Sequence, residues 1–266
     1  MKVNVEEIKK WMDEKYKFWR TSFPYYQNKQ DNFWQLHPIS ELPKRVQYLQ
    51  ILSKYVNEPT STTIVDVGIA GGMFPFLLHK LGLNVIGLDW GGISSQEELE
   101  KMHPGVKVYA CHYEKEKWPL DNSVDVVTHL DVIEHVHPPQ QFMFQEIMRI
   151  LKPGGILIVS TPNLASLRKR IWLLRGKHPV GQLKEFFESN PFVEHIREFT
   201  VNEVSQIVKW AGFEVISAYC INHIYYTRYA EASTAMKKII LKIYNLLTLL
   251  KNDLKDTIVV EARKPI

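Results

Sequence analysis

The sequence predicts an α/β fold: a doubly wound, seven-stranded and mostly parallel sheet, with a helical N-terminal extension and inserted helices forming a cap. Three observations predict it. Short β-branched runs alternate with helical patterns from residue 62 onward, and such alternation gives a parallel sheet covered on both faces. The first run ends in a glycine-rich turn, IVDVGIAGGMFPFLL at 64–78. The first 60 residues lack this rhythm and read as aromatic-rich helices, with Trp11, Tyr16, Phe18, Trp19, Phe33 and Trp34 among them.

Within that extension, Pro43 suits a first helical turn, and Val46, Leu49, Ile51, Leu52 and Tyr55 follow near helical spacing. Strands are then expected at 62–68, 84–89, 106–111, 124–130, 155–161, 213–220 and 256–263. A helix at 74–82 stops on Gly82, and another at 138–155 stops on a proline–glycine pair. A third, at 200–212, opens on Thr200 with Glu203 three residues on, the spacing of a capping box. The expected division is a helical extension or lid at 1–60 and one domain at 61–266, with insertions at about 164–199 and 224–255. Insertions in such sheets gather around the crevice at the strand carboxyl ends.

Bulk composition excludes several classes. Hydrophobic residues make up 45% and charged residues 23%, with a net charge of +4; this is an ordinary globular balance, too weakly basic to argue for nucleic acid. No apolar run reaches the roughly 18 residues a membrane span needs. The start, MKVNVEEIKKWMDEK, lacks the apolar core of a signal peptide. Two cysteines, Cys111 and Cys220, form no CxxC pair, so the reducing cytoplasm is the expected compartment, with membrane-peripheral binding as a variant.

The glycine turn is the central signal. A dinucleotide fingerprint needs glycine at 68, 70 and 73, and the chain has Ala70 and Met73 there. A dehydrogenase is thereby disfavoured. The other pattern is an acid followed by glycines at +2, +4 and +6: Asp66, Gly68 and Gly72 fit, and Ala70 departs by one methyl group. Asp89 ends the next strand, 23 residues after Asp66, and Trp90 follows. A carboxylate with two acceptor oxygens matches the two donors of a ribose diol.

These residues, in this order, resemble motif I and the later motifs of the class I S-adenosylmethionine-dependent methyltransferases, over about 60–163 and 195–220. The resemblance implies a Rossmann-like fold with S-adenosylmethionine as cofactor. It implies Asp89 on the ribose and Trp90 packed on the adenine. The stretch 110–127, with His112 and Tyr113, resembles the family's adenine-contacting segment; His112 stands where many members carry an acid, and Glu114 or a backbone group is the alternative. THLDVIEHV at 128–136, which includes Leu130, and LKPGGILIVSTPN at 151–163 resemble the two later motifs. Arg45 occupies a place where related enzymes set an arginine against the methionine carboxylate; the other reading is a solvated helix arginine.

At the end of the fourth strand, Asp131, Glu134 and His135 have a D-x-x-E-H spacing similar to the E-x-x-E-H of the ubiquinone-pathway O-methyltransferases. There the two acids and the histidine hold a divalent ion. Oxygen ligands with one imidazole suit Mg²⁺ or Mn²⁺. His135 is alternatively a metal-free base or a structural residue. His195, in the H-x-R-x-F/Y-T segment at 195–200, is a second catalytic candidate, and with Arg197 is placed either on the acceptor or as a pin between loop and helix.

The acceptor is expected to be a small molecule, a sugar or a lipid-linked hydroxyl compound. The stretches 164–180 and 233–251 are basic and amphipathic, suited to core packing, a homodimer contact or the surface of a membrane. Basic residues confined to two such stretches, and the absence of an NPPY-like tetrapeptide after the fourth strand, argue against RNA and base N-methylation. An RNA or protein methyltransferase, and a non-catalytic S-adenosylmethionine-binding partner protein, are the rival readings.

Overall fold

The computed structural model describes residues 3–22, 31–69, 72–90, 95–180, 183–188, 195–222 and 233–266. Its centre is a seven-stranded sheet: β1 (Thr63–Val67), β2 (Asn84–Asp89), β3 (Lys107–Ala110), β4 (Val124–Leu130), β5 (Leu151–Pro162), β6 (Glu214–Ile221) and β7 (Thr257–Arg263). The spatial order is β3-β2-β1-β4-β5-β7-β6. Strands β1 to β5 pair in parallel, whereas β7 runs antiparallel between β5 and β6. The chain winds outward from β1 to β3, then returns to β4 on the other side of β1. That reversal is the switch point at which open α/β sheets bind ligands, beyond the strand carboxyl ends.

Helices cover both faces. On one face lie α1 (Val5–Ser22), α2 (Asp31–Ser53) and α3 (Met73–Lys80). In α1 the buried residues Ile8, Met12, Tyr16 and Trp19 recur at helical spacing. They share one core with Tyr48, Leu49 and Leu52 of α2, Leu77 of α3, and Ile64, Val126 and Ile158 of the sheet. Lys15 is buried there too: its ammonium donates to the Met102 carbonyl and sits 5.1–5.5 Å from the Phe18, Trp19 and Phe76 ring centroids. On the other face, α5 (Gln141–Ile150) and α8 (Val201–Trp210) pack Phe144, Ile147, Val204 and Val208 onto Val65, Val127, Val159 and Val260. The remaining helices are α4 (Gln96–Met102), α6 (Leu167–Leu174), α7 (Leu183–Glu188) and α9 (Ala235–Leu249).

Three local expectations change. Pro43 lies within the continuous helix α2 and not in a first turn. A proline there costs one backbone donor, and packing of the buried Tyr48, Leu49 and Leu52 downstream offsets that loss. Helix α5 stops at Ile150, five residues short of the expected end, because Leu151 is already extended (φ −68°, ψ 139°). Leu151 pairs with Val124 and Ile156 with Val126, so the intervening Pro153–Gly155 turn is a bulge inside β5. Helix α4 is a further element, opened by a capping box of Ser95 and Glu98. The expected Thr200–Glu203 box is present at α8.

Candidate active site

The turn after β1 reaches β4 at close range. Gly68 has φ 73°, and its N–H donates to the Leu88 carbonyl at 2.8 Å. A methyl group there would lie 2.5 Å from a Val132 methyl. Gly72 has φ 70°, and a methyl group would lie 1.5 Å from the buried His103 ring. Left-handed backbone with no room for a side chain requires glycine at both positions. Ala70 lies outside the described residues. Asp66, at the end of β1, is 4% exposed and accepts the Thr128 hydroxyl at 2.6 Å. Burial raises its carboxyl to about 7, against the opposing pull of Thr128 and Arg45.

Asp89 ends β2, buried, with Oδ1 accepting the Trp90 N–H at 2.7 Å. The Trp90 and His112 rings meet at 5.4 Å between centroids. Tyr113 is half-buried beside the core, and burial with the Asp89 charge pushes its hydroxyl well above the ordinary value. Glu114 accepts the His137 N–H at 3.3 Å and has the His137 ring nitrogen at 3.4 Å, so its carboxylate is engaged within the protein. Leu130, at the end of β4, packs against the core under α1 and α2.

Helix α2 lays three polar residues over the ends of β1, β4 and β5. Arg45 pairs with Glu41 at 2.8 Å, and its buried Nε has no hydrogen-bond partner. Its charge also acts on Asp66 and Asp131. Lys44 pairs with Asp131 at 2.5 Å, while the Tyr48 hydroxyl donates to Asp131 at 3.3 Å and meets the Ser160 hydroxyl at 2.8 Å. Asp131 itself has φ 57°, a conformation unusual outside glycine.

Beyond Asp131, the turn 133–135 meets the loop before α8. The N–H groups of Ile196 and Arg197 both donate to the Glu134 carbonyl, at 2.8 and 3.2 Å. This clamp brings His195 to within 4.9 Å of His135, ring centroid to centroid, in an edge-on contact. His195 Nδ1 lies 2.9 Å from Glu198 Oε1, and Nε2 lies 4.0 Å from Glu134 Oε1. Glu198 is in turn paired with Lys169, which α6 carries inward; both are almost fully buried. Burial lowers His195 to about 4, with His135 and Lys169 adding to it. Glu134, 1% exposed, accepts the Thr161 hydroxyl at 2.8 Å; burial, then the Asp131 charge, raises its carboxyl to about 8.

Glu134, His135 and His195 have ligand atoms within 4.8 Å of one another. The structure therefore groups Glu134 and His135 with His195, while Asp131 of the D-x-x-E-H spacing is engaged by Lys44 and Tyr48. Arg197 turns away: it pairs with Glu203 at 2.6 Å and stacks over Phe199, pinning the loop to α8. Lys169 likewise leaves the basic face on which the sequence puts it. Sequence reasoning missed Lys44, Tyr48, Thr161 and Glu198 as site residues. Only Glu198 carried a local signal, its three-residue offset from His195. A separate groove of about 1110 Å³ between α5 and α8, lined by Phe144, Gln145, Arg197, Gln206 and Trp210, lies apart from this chemistry.

Residues 37–218 match the model of a methyltransferase domain. The chain belongs to the methyltransferase-domain family. S-adenosylmethionine is the cofactor of this class I methyltransferase chain, and the residues at the switch point fit it. Gly68 and Gly72 hold the turn after β1 in left-handed backbone, Asp89 brings a carboxylate to the end of β2, and the buried Arg45 Nε has no hydrogen-bond partner. Among relatives, a probable S-adenosylmethionine-dependent methyltransferase of Mycolicibacterium smegmatis is 33% identical over 57% of this chain and 52% of its own length. A ubiquinone biosynthesis O-methyltransferase of Rickettsia prowazekii is 32% identical over 60% of each chain. The chain thus spans only about half to 60% of these relatives' lengths. The Rickettsia bellii enzyme of the same name is 30% identical over 67% of this chain and 71% of its own. Among solved structures, the methyltransferase partner of the Haloferax volcanii Trm112 activator superposes with TM-score 0.56 at 17% identity, covering 98% of both chains. Haemonchus contortus phosphoethanolamine N-methyltransferase 2, solved with S-adenosylmethionine, gives 0.53 at 20% identity over 83% of this chain and 52% of its own. At those identities the likeness is one of fold.

Proposed function

We propose that this chain methylates a hydroxyl oxygen of a small-molecule, sugar or lipid-linked acceptor, with His195 taking the hydroxyl proton. S-adenosylmethionine supplies a methyl group already activated on a sulfonium. The chain must then hold an acceptor in line, exclude water and remove one proton. The observation that carries the reading is the Lys169–Glu198–His195 series. The buried Lys169–Glu198 pair turns a carboxylate oxygen toward His195 Nδ1, and a carboxylate only accepts, so His195 Nδ1 bears the hydrogen. Nε2 is left with its lone pair, on the side where Glu134 and His135 stand. Burial keeps the imidazole uncharged near neutral pH, as a proton acceptor must be. The O-methyltransferase names among the relatives support the choice of oxygen.

The test is incubation with methyl-labelled S-adenosylmethionine and host lysate, followed by separation of metabolite, lipid, RNA and protein fractions. Label is expected in the metabolite or lipid fraction. Label confined to RNA or protein would overturn the acceptor class, and cofactor binding with no label anywhere would favour a non-catalytic protein. His195→Ala is expected to lower kcat by about 10²–10⁴-fold with cofactor affinity retained. Glu198→Gln should give a smaller fall in kcat and an unchanged KM.

A second reading has its own observation. Two imidazoles and a carboxylate converge within 4.8 Å, a donor set able to hold a divalent ion that would polarise the acceptor oxygen. Loss of activity after exhaustive chelation, restored by Mg²⁺ or Mn²⁺, would support it; full activity would remove it.

A further inference from the structure

Helix α9 is attached to the domain through polar groups and turns its apolar side outward. The Tyr244 hydroxyl donates to Asp256 at 3.1 Å, and the Asn222 side-chain amide donates to Asn245 at 3.0 Å and to the Thr248 hydroxyl at 2.6 Å. Thr248 is fully buried. On the opposite side Met236, Ile239, Ile240, Ile243, Leu246 and Leu250 recur at three- and four-residue steps, each between 52% and 77% exposed. A helix that docks on its own fold normally does the reverse. Such an apolar stripe, far larger than the scattered apolar residues of ordinary surfaces, marks an interaction surface.

Charge selects the occupant. Residues 233–251 contain Lys237, Lys238, Lys242 and Lys251 and no acid. Lys251 is paired with Asp253, but Lys237 and Lys242 stand exposed at the two margins of the stripe. Helix α6 is a neighbour: Arg168 lies beside Tyr244, and Arg170 pairs with Asp253 at 3.0 Å. It adds Leu173 and Leu174, 57% and 87% exposed, followed by Arg175 and Lys177. A second copy would set lysine-flanked stripes against each other with no acid within 233–251 to pair them. An anionic bilayer complements both features, taking the apolar side chains below the headgroups and the lysines among them. The helix is too short to span, and among the described residues no helix is long and apolar enough to cross a membrane.

We infer that α9, with the end of α6 beside it, docks this methyltransferase on the surface of an anionic lipid bilayer. The inference is independent of the acceptor and of His195. It is tested by flotation of the full chain with phosphatidylcholine vesicles, with and without phosphatidylglycerol. The protein is expected to float with the mixed vesicles and to remain behind with phosphatidylcholine alone. Ile240→Glu, Ile243→Glu and Leu246→Glu together should reduce flotation at least tenfold, with cofactor affinity and melting temperature unchanged. Should that variant fail to fold, Lys237→Glu with Lys242→Glu should abolish the phosphatidylglycerol dependence. Equal flotation of wild type and variants would overturn the inference. So would a wild type that ignores phosphatidylglycerol vesicles yet sediments as a dimer that the triple variant dissociates.

Discussion

Asp89 and Asp66 end adjacent parallel strands, and their surroundings give them different work. Asp89 already accepts the Trp90 N–H, which fixes the carboxylate at the end of β2. Asp89→Ala is expected to weaken S-adenosylmethionine binding by about 10–100-fold, the worth of charge-assisted hydrogen bonds, as read by calorimetry; unchanged affinity would remove Asp89 from the ribose. Asp66 lies deeper, and its carboxyl is raised to about 7 by burial. A carboxyl raised above its unfolded value binds its proton more tightly in the folded state. That contribution to stability is complete below about pH 4 and is lost as pH rises through about 7. The urea midpoint of the wild type should therefore fall between about pH 4 and pH 7, and Asp66→Asn should flatten the slope. Both acids were legible as a spaced pair in the sequence. Their different depths were not, because depth depends on how far β1 and β2 run beneath neighbouring loops.

At the scale of elements, the turn between β1 and α3 is held by contacts that glycine alone permits. Gly72→Ala meets both a left-handed backbone and the buried His103 ring, and should cost about 2–5 kcal/mol in urea unfolding. Gly154→Ala is the matched control: φ is 77° with nothing within 4 Å of the added methyl, so only about 1 kcal/mol is expected. Equal losses would mean that His103 moves aside. Strand runs and the Thr200–Glu203 capping box were readable because each is a local pattern, whereas the Ser95–Glu98 box of α4 was passed over. The end of α5 was misread because a proline–glycine pair marks a bulge as readily as a helix stop, and only pairing of Leu151 with Val124 separates the two. The Glu198–His195 contact had a local trace in its spacing. Lys169 had none: its inward turn depends on where α6 settles, and within LRKRIWLL it looks like any other cation.

For the whole molecule, α1 is part of the core. Removing residues 1–22 would uncover Tyr48, Leu49, Leu52 and Leu77, which share a cluster with Ile8, Met12, Tyr16 and Trp19. Four such side chains, at about 1.5–3 kcal/mol each, approach the whole stability of a domain. The truncated protein is expected to lose cooperative unfolding in urea; a sharp transition near the wild-type midpoint would show the extension to be dispensable. The fold was legible because strand and helix periods alternate. The meeting of Glu134 with His195, 61 positions apart, follows only once β4 and the segment before α8 are set side by side. The strand order carries a consequence for synthesis. β7 is translated after β6 yet lies between β5 and β6, and β6 pairs with β7. While the chain is emerging, β6 has no neighbour in the sheet until residues 257–263 leave the ribosome. Through that interval the nascent protein presents two bare strand edges, and the last insertion also supplies Glu261, which accepts Lys54 and Tyr55 from the segment after α2.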